Sequence, residues 1–128
     1  MILYSTIPSQ AIDAEADQVV GIASFAGVIS GVSLVPEAAV TGDDTNTRSF
    51  NLINKGQSGV GTTSVATLAL ETGTDLVAFD EMALTLSGTE ANLVVAKGDV
   101  LVLAETVAGD GLVHSGGRVL ISITPVSA

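Results

Sequence analysis

TRSFNLINKGQSGVGTTSVATLALE, residues 47–71, is the stretch whose reading decides the fold. Over Thr47–Asn54, Phe50 and Leu52 alternate with Ser49 and Asn51. Over Thr63–Glu71, Ala66, Leu68 and Leu70 alternate with Val65, Thr67 and Ala69. A period of two sends successive side chains to opposite faces of an extended chain, so both runs read as strands. KGQSG (Lys55–Gly59) between them reads as a turn, because Gly and Ser adopt backbone conformations that break a strand.

The same pattern recurs outward from this pair. Gln18–Ala26 and Val28–Val35 are near-contiguous runs divided at Gly27, and Met82–Ser87 turns Met82, Leu84 and Leu86 to one side. A short run follows at Asn92–Val95. Asp99–Val107 is apolar on both faces, and Arg118–Thr124 sets Val119, Ile121 and Ile123 against Leu120, Ser122 and Thr124. No sustained 3.6-residue period appears, and one short helix is expected near Asp75–Glu81. Eight short strands separated by turns at Gly42–Asp44, Lys97–Asp99, Gly109–Gly111 and Gly116–Gly117 imply an all-β antiparallel sandwich, jelly-roll-like in topology.

The first dozen residues fit no strand slot well, yet carry Ile2, Leu3, Tyr4, Ile7, Pro8 and Ile12. Residues 1–15 are therefore read as an extended N-terminal arm and 16–128 as the sandwich domain. An arm of a dozen residues reaches ~40 Å at ~3.3 Å per residue. It either adds an edge strand to its own sheet or adds a strand to a neighbouring subunit.

The chain has 128 residues, 47% of them hydrophobic, but only 3% aromatic and none of them Cys. Val, Ala, Leu and Ile in that proportion exceed what one small core needs, and the surplus points to partners. The faces bearing Val65, Thr67 and Ala69 and bearing Val100 and Val102 are the expected oligomer contacts, with the arm as a second contact. Fourteen Asp plus Glu against four Lys plus Arg give a net charge of −10. That balance argues against a nucleic-acid partner, which needs basic groups to neutralise phosphates, and against an anionic membrane. Every apolar run is broken well before the ~20 residues a bilayer span needs. The opening MILYSTIPSQAI lacks a basic residue and carries Pro8 where a signal peptide needs a helix, so no secretion signal is expected.

Motifs that bear chemistry fail on inspection. GQSGVGTT (Gly56–Thr63) has the spacing of a phosphate-binding loop, but Thr62 stands where Lys must reach the phosphates, and a strand follows instead of a helix. His114, the one histidine, lies between two turns with no nucleophile motif, and reads as an exposed loop residue or one hydrogen-bonded near a strand end. The acidic clusters Asp13–Glu15–Asp17, Asp43–Asp44 and Asp80–Glu81 read as solvated faces. The first has oxygen ligands for Ca²⁺ but lacks the Gly turn and terminal Glu of a known calcium loop. Arg48, Arg118, Lys55 and Lys97 read as isolated surface charges, or as ion pairs that set register across a subunit boundary. No catalytic residue, metal ligand or cofactor is expected, and the chain reads as a building part in place of an enzyme.

The stretches TGDDTNTRSFNLINKGQSGVGTTSVATLAL (Thr41–Leu70) and LTLSGTEANLVVAKGDVLVL (Leu84–Leu103) resemble small β-sandwich head-decoration (cement) and other minor virion proteins of tailed bacteriophages. The features that carry the likeness are N-T-R at Asn46–Arg48, N-K-G-Q at Asn54–Gln57 and A-K-G-D at Ala96–Asp99, within residues 20–124. The resemblance implies a non-enzymatic protein on the outer head surface of the virion, made in the host cytoplasm. It also implies a homotrimer that bridges subunits of the major capsid protein. A surface adhesin or glycan-binding sandwich, reading its ligand with the Asp75–Glu81 and Gly109–Gly117 loops, is the alternative.

Overall fold

The alternation at residues 47–71 is built as a hairpin, with β4 (Thr47–Asn54) antiparallel to β5 (Thr63–Leu70). The protein, seen here as a computed structural model, is described over residues 2–12 and 14–126. Among these residues the remaining strands are β1 (Ile2–Ile7), β2 (Asp17–Ile22), β3 (Gly27–Pro36), β6 (Met82–Ala83), β7 (Thr85–Leu86), β8 (Val94–Val95), β9 (Val100–Ala108) and β10 (Gly117–Pro125). One turn of 3-10 helix spans Glu90–Leu93. Every strand pairing is antiparallel. The first sheet runs β1-β10-β3-β6, with β8 also on β3, and the second runs β2-β9-β4-β5-β7. The expected all-β, jelly-roll-like sandwich is what the chain forms.

The core lies between the sheets, where the inward halves of the alternating strands meet. Ile29, Val32 and Leu34 of β3 and Val119, Ile121 and Ile123 of β10 face Phe50, Leu52, Leu68, Leu70, Leu101 and Leu103. Each such side chain gains roughly 1.5–3 kcal/mol by leaving water, and together they offset the entropy lost in ordering the strands. Leu3 crosses from β1 toward β2. At Gly21 a Cβ would come within 2.6 Å of Leu3 Cδ1, so a glycine leaves room for that leucine.

Of the two roles open to the N-terminal run, the structure shows the strand added to its own sheet: β1 pairs with β10 through six consecutive residues, Ile2 opposite Ser122 to Ile7 opposite Gly117. Three expectations are corrected here. The Met82–Ser87 run is not one strand. Leu84, buried and bonded through its N–H to the Val32 carbonyl, is the point where the chain leaves β3 in the first sheet for β5 in the second. The short helix expected at Asp75–Glu81 is absent, because Leu76 instead exchanges both backbone hydrogen bonds with Val40 at 2.8 and 3.0 Å. Val65 does not share a face with Thr67 and Ala69. The β4–β5 register shifts between Leu52 and Ile53, and this bulge turns Val65 into the core with no exposed surface.

Candidate functional site

The outward face of the first sheet is built from every second residue of three strands. Register places Tyr4 beside Leu120 and Leu120 beside Ser33, while Thr6, Arg118 and Val35 form the neighbouring row. Tyr4 is 61% exposed. Phe79 stands over this face at 79% exposure, with a φ of +62°. A bulky side chain in the left-handed region is strained by about 1–3 kcal/mol and persists only where its surroundings hold it. Here the Phe79 N–H is tied to the Pro36 carbonyl at 2.9 Å. Tyr4, Val35, Pro36, Phe79 and Leu120 line an open hollow of about 380 Å³, with Glu37 and Arg118 on its rim. A second hollow of about 280 Å³ lies against it, lined by Ile2, Leu120 and Ser122 and closed off by Glu81, which accepts a hydrogen bond from Ser33 Oγ. The result is an exposed, strained aromatic over a largely apolar face, with Glu37, Arg118 and Glu81 as its charged neighbours.

The residues expected to make contacts are scattered over this face, the outer face of the second sheet, the segment after β1 and the interior. Ile2 and Tyr4 point outward from β1. Leu3 packs on the core, Ile7 is fully buried, and Pro8 and Ile12 are exposed beyond the strand. Thr67 and Ala69 are exposed on the outer face of the second sheet. Val100 and Val102 lie on that same outer face, Val102 opposite Val19 and Ile53, but only 8% of Val102 remains open. Val65, in the core, has no surface to offer a partner.

At one end of the sandwich lies a buried polar cluster that sequence reasoning missed. Arg48 is not a surface charge. It is wholly buried on β4, and its Nη1 donates to Glu105 Oε1 at 2.8 Å. The same guanidinium donates to the carbonyls of Ala14 and Ala11, both at 2.9 Å, and its Nε to that of Leu112. His114 is buried as well, so it is the hydrogen-bonded residue of the two expected and not the exposed one. The Gly116 N–H donates to His114 Nδ1 at 3.1 Å, which leaves the proton on Nε2, 2.7 Å from Glu105 Oε1. Phe50 meets the imidazole edge-on at 5.7 Å. The cluster joins β4, β9, the loop before β10 and the segment between β1 and β2. Its signal was in the alternation: Arg48 shares the inward face of Phe50 and Leu52, and Glu105 that of Leu101 and Leu103. A charge on a core face demands a partner.

The other motifs resolve into turn construction. The Asn54 Nδ2 donates to Asp99 Oδ2 at 3.0 Å, the Ala96 N–H to the same oxygen at 2.9 Å, and Gln57 Nε2 to the Lys97 carbonyl at 3.0 Å. N-K-G-Q and A-K-G-D therefore clasp each other at the far end of the molecule. Burial pushes the Asp99 carboxyl up, but the Ala96 amide and the side-chain amides of Asn54 and Gln57 together outweigh it and hold the carboxyl below its ordinary range. Asn46 Oδ1 accepts from the Asp110 N–H at 2.9 Å, and Asp43 Oδ1 from the N–H groups of Thr45 and Asn46. Those two amides lower the Asp43 pKa against a small opposing effect of burial. The GQSGVGTT stretch is the β4–β5 connection, with no helix after it. Of the acidic clusters, Asp13 lies outside the described residues and Glu15 Oε2 accepts from the Val107 N–H at 2.9 Å. Among the described residues no group of three or more His, Asp or Glu is placed to hold a metal ion.

No family model matches this chain. No curated protein matches it either. The resemblance to phage head-decoration proteins thus rests on the short motifs quoted for it. Among solved structures, the chain is loosely similar to one in the structure of infectious bursal disease virus Gx strain, at 18% identity and a TM-score of 0.38. The match covers 94% of this chain and spans 31% of that one, and a likeness so loose carries no conclusion about function.

Proposed function

We propose that this chain is a non-enzymatic structural protein of a virion, a decoration protein that sits on the outer head surface and bridges capsid subunits as a homo-oligomer. The observation that supports the reading best is the outward face of the first sheet, where Tyr4 and Phe79 stand open to solvent beside a half-buried Leu120 on a chain of net charge −10. An isolated soluble domain gains nothing from holding a strained phenylalanine over an apolar face; a protein that seats on a larger surface gains contact area there. The buried cluster has the structural role of fastening the N-terminal segment. Arg48, Glu105 and His114 are all buried and line neither hollow.

The test is a binding assay on emptied heads of the phage that carries this gene. The full chain is expected to co-sediment with the heads and to add density to their outside in electron micrographs. The double substitution Phe79→Asp, Leu120→Asp is expected to lower occupancy at least tenfold, about 1.4 kcal/mol or more per site. Bare heads, together with a monomeric chain that binds sugar, would favour the adhesin instead.

A further inference from the structure

We propose that the open edge of β1 pairs with the β1 of a second copy of this chain, antiparallel about a two-fold axis at Tyr4. The first sheet then runs on unbroken through both molecules. The proposal deepens the reading of the chain as a self-assembling structural protein and rests on it. A strand at a sheet edge presents unpaired N–H and C=O groups, and folded proteins blunt such edges with short strands, charges or bulges. This chain does so at its other edges. β6, β7 and β8 are two residues long, and β2 opens on Asp17 and is broken by a register shift between Val19 and Gly21. β1 is six residues long like β2, but of the edge strands described it alone combines that length with an unbroken register and no charge, as no Asp, Glu, Lys or Arg precedes Asp13.

An unprotected edge calls for another strand, and three features make a second β1 fit. A two-fold axis normal to the sheet keeps outward residues opposite outward residues, so only like-facing positions can meet. Centred on Tyr4, the pairing sets Ile2 against the copy's Thr6, Leu3 against its Ser5, and Tyr4 against Tyr4. Every β-branched or aromatic side chain on the outward face then gains a cross-strand neighbour. The charge also allows it. Two molecules of net charge −10 repel, but the row next to the seam holds Arg118, opposite Thr6, and no carboxylate. Finally, the pairing joins the two outward faces, so that Tyr4 and Leu120 of both copies form one broad apolar surface. This arrangement is a dimer, where the resemblance to decoration proteins implied a trimer.

The chain has no cysteine, so single substitutions report the seam directly. In light scattering the unmodified chain is expected at twice its 12.8 kDa mass. Tyr4→Cys is expected to cross-link to a dimer under mild oxidant. Leu120→Cys on the same face is expected not to, as three strand spacings put its two copies about 14 Å apart, beyond disulfide reach. Tyr4→Lys sets like charges face to face and is expected to return the mass to one chain. Equal cross-linking of the two Cys variants, or an unchanged mass for Tyr4→Lys, overturns the pairing. An oligomer that coats phage heads yet fails to cross-link through Tyr4→Cys sinks the pairing and leaves the decoration reading standing; a monomer that leaves the heads bare sinks both.

Discussion

A guanidinium with no exposed surface must find a partner for nearly every N–H it carries, and Arg48 makes four hydrogen bonds, one of them to Glu105. Three go to backbone carbonyls outside the strands, Ala11 and Ala14 between β1 and β2 and Leu112 before β10, and add to the paired backbone hydrogen bonds of Gln10 with His114. The packing there is close as well, since a Cβ at Gly111, whose φ is +72°, would fall 2.1 Å from the Ile12 carbonyl oxygen. Glu105 Oε2 is buried without a hydrogen-bond partner among the described residues, so the carboxylate depends on what its other oxygen receives from Arg48 and His114. Removing Arg48 leaves the Glu105 carboxylate desolvated without the cation that faces it. Arg48→Met is therefore expected to lower unfolding stability by about 3–5 kcal/mol in urea titration. The triple change Arg48→Met, Glu105→Leu, His114→Leu is expected to be less damaging than Arg48→Met alone, because it leaves no unpaired charge behind. A triple variant weaker than the single one would count against this account.

Among the elements, Thr47–Asn54 has the same bounds in sequence and structure, since its alternation is clean and both neighbours in its sheet are long strands. Where the outcome differs, a contact distant in sequence outweighs the local pattern. The sequence left β1 undecided between its own sheet and a neighbour's because its partner, β10, lies more than a hundred residues further along. Met82–Ser87 has a regular alternation, yet the chain changes sheets at Leu84, which only the packing of β3 and β5 against each other decides. The two clasped turns were visible as turns; that they hold each other through Asp99 was not. Asp99 is nearly buried, and its lowered folded-state pKa means that its stabilising effect is present above the unfolded carboxylate value of about 3.9 and lost as pH falls through the folded value. Asp99→Asn is expected to cost about 2 kcal/mol at pH 7, as bonds to a charged acceptor become bonds to a neutral one. The loss of stability of the variant between pH 5 and pH 2 is expected to be shallower than that of the unmodified chain, read from thermal melts across that range.

For the whole molecule, charge and apolar surface pull in opposite directions. A net charge of −10 keeps copies apart at low salt, while in the proposed dimer the β1 edge and the joined apolar faces draw them together. Salt shortens the reach of the repulsion, from a Debye length of about 30 Å at 0.01 M to about 8 Å at 0.15 M, and leaves apolar contact untouched. Self-association is expected to tighten on the order of tenfold over that range, measured by sedimentation equilibrium. A decrease would mean that ion pairs, and not apolar contact, hold the copies together. From the sequence by itself came the fold class, most strand positions and the surplus of aliphatic side chains, because alternation, turn residues and composition act over a few residues and need no distant partner. Tertiary structure alone decided that β1 forms the outer strand of the first sheet, that Val65 turns inward at a bulge, and that Arg48, Glu105 and His114 meet. Each depends on segments far apart in the chain, whose contact becomes favourable only after the sheets have stacked and excluded water.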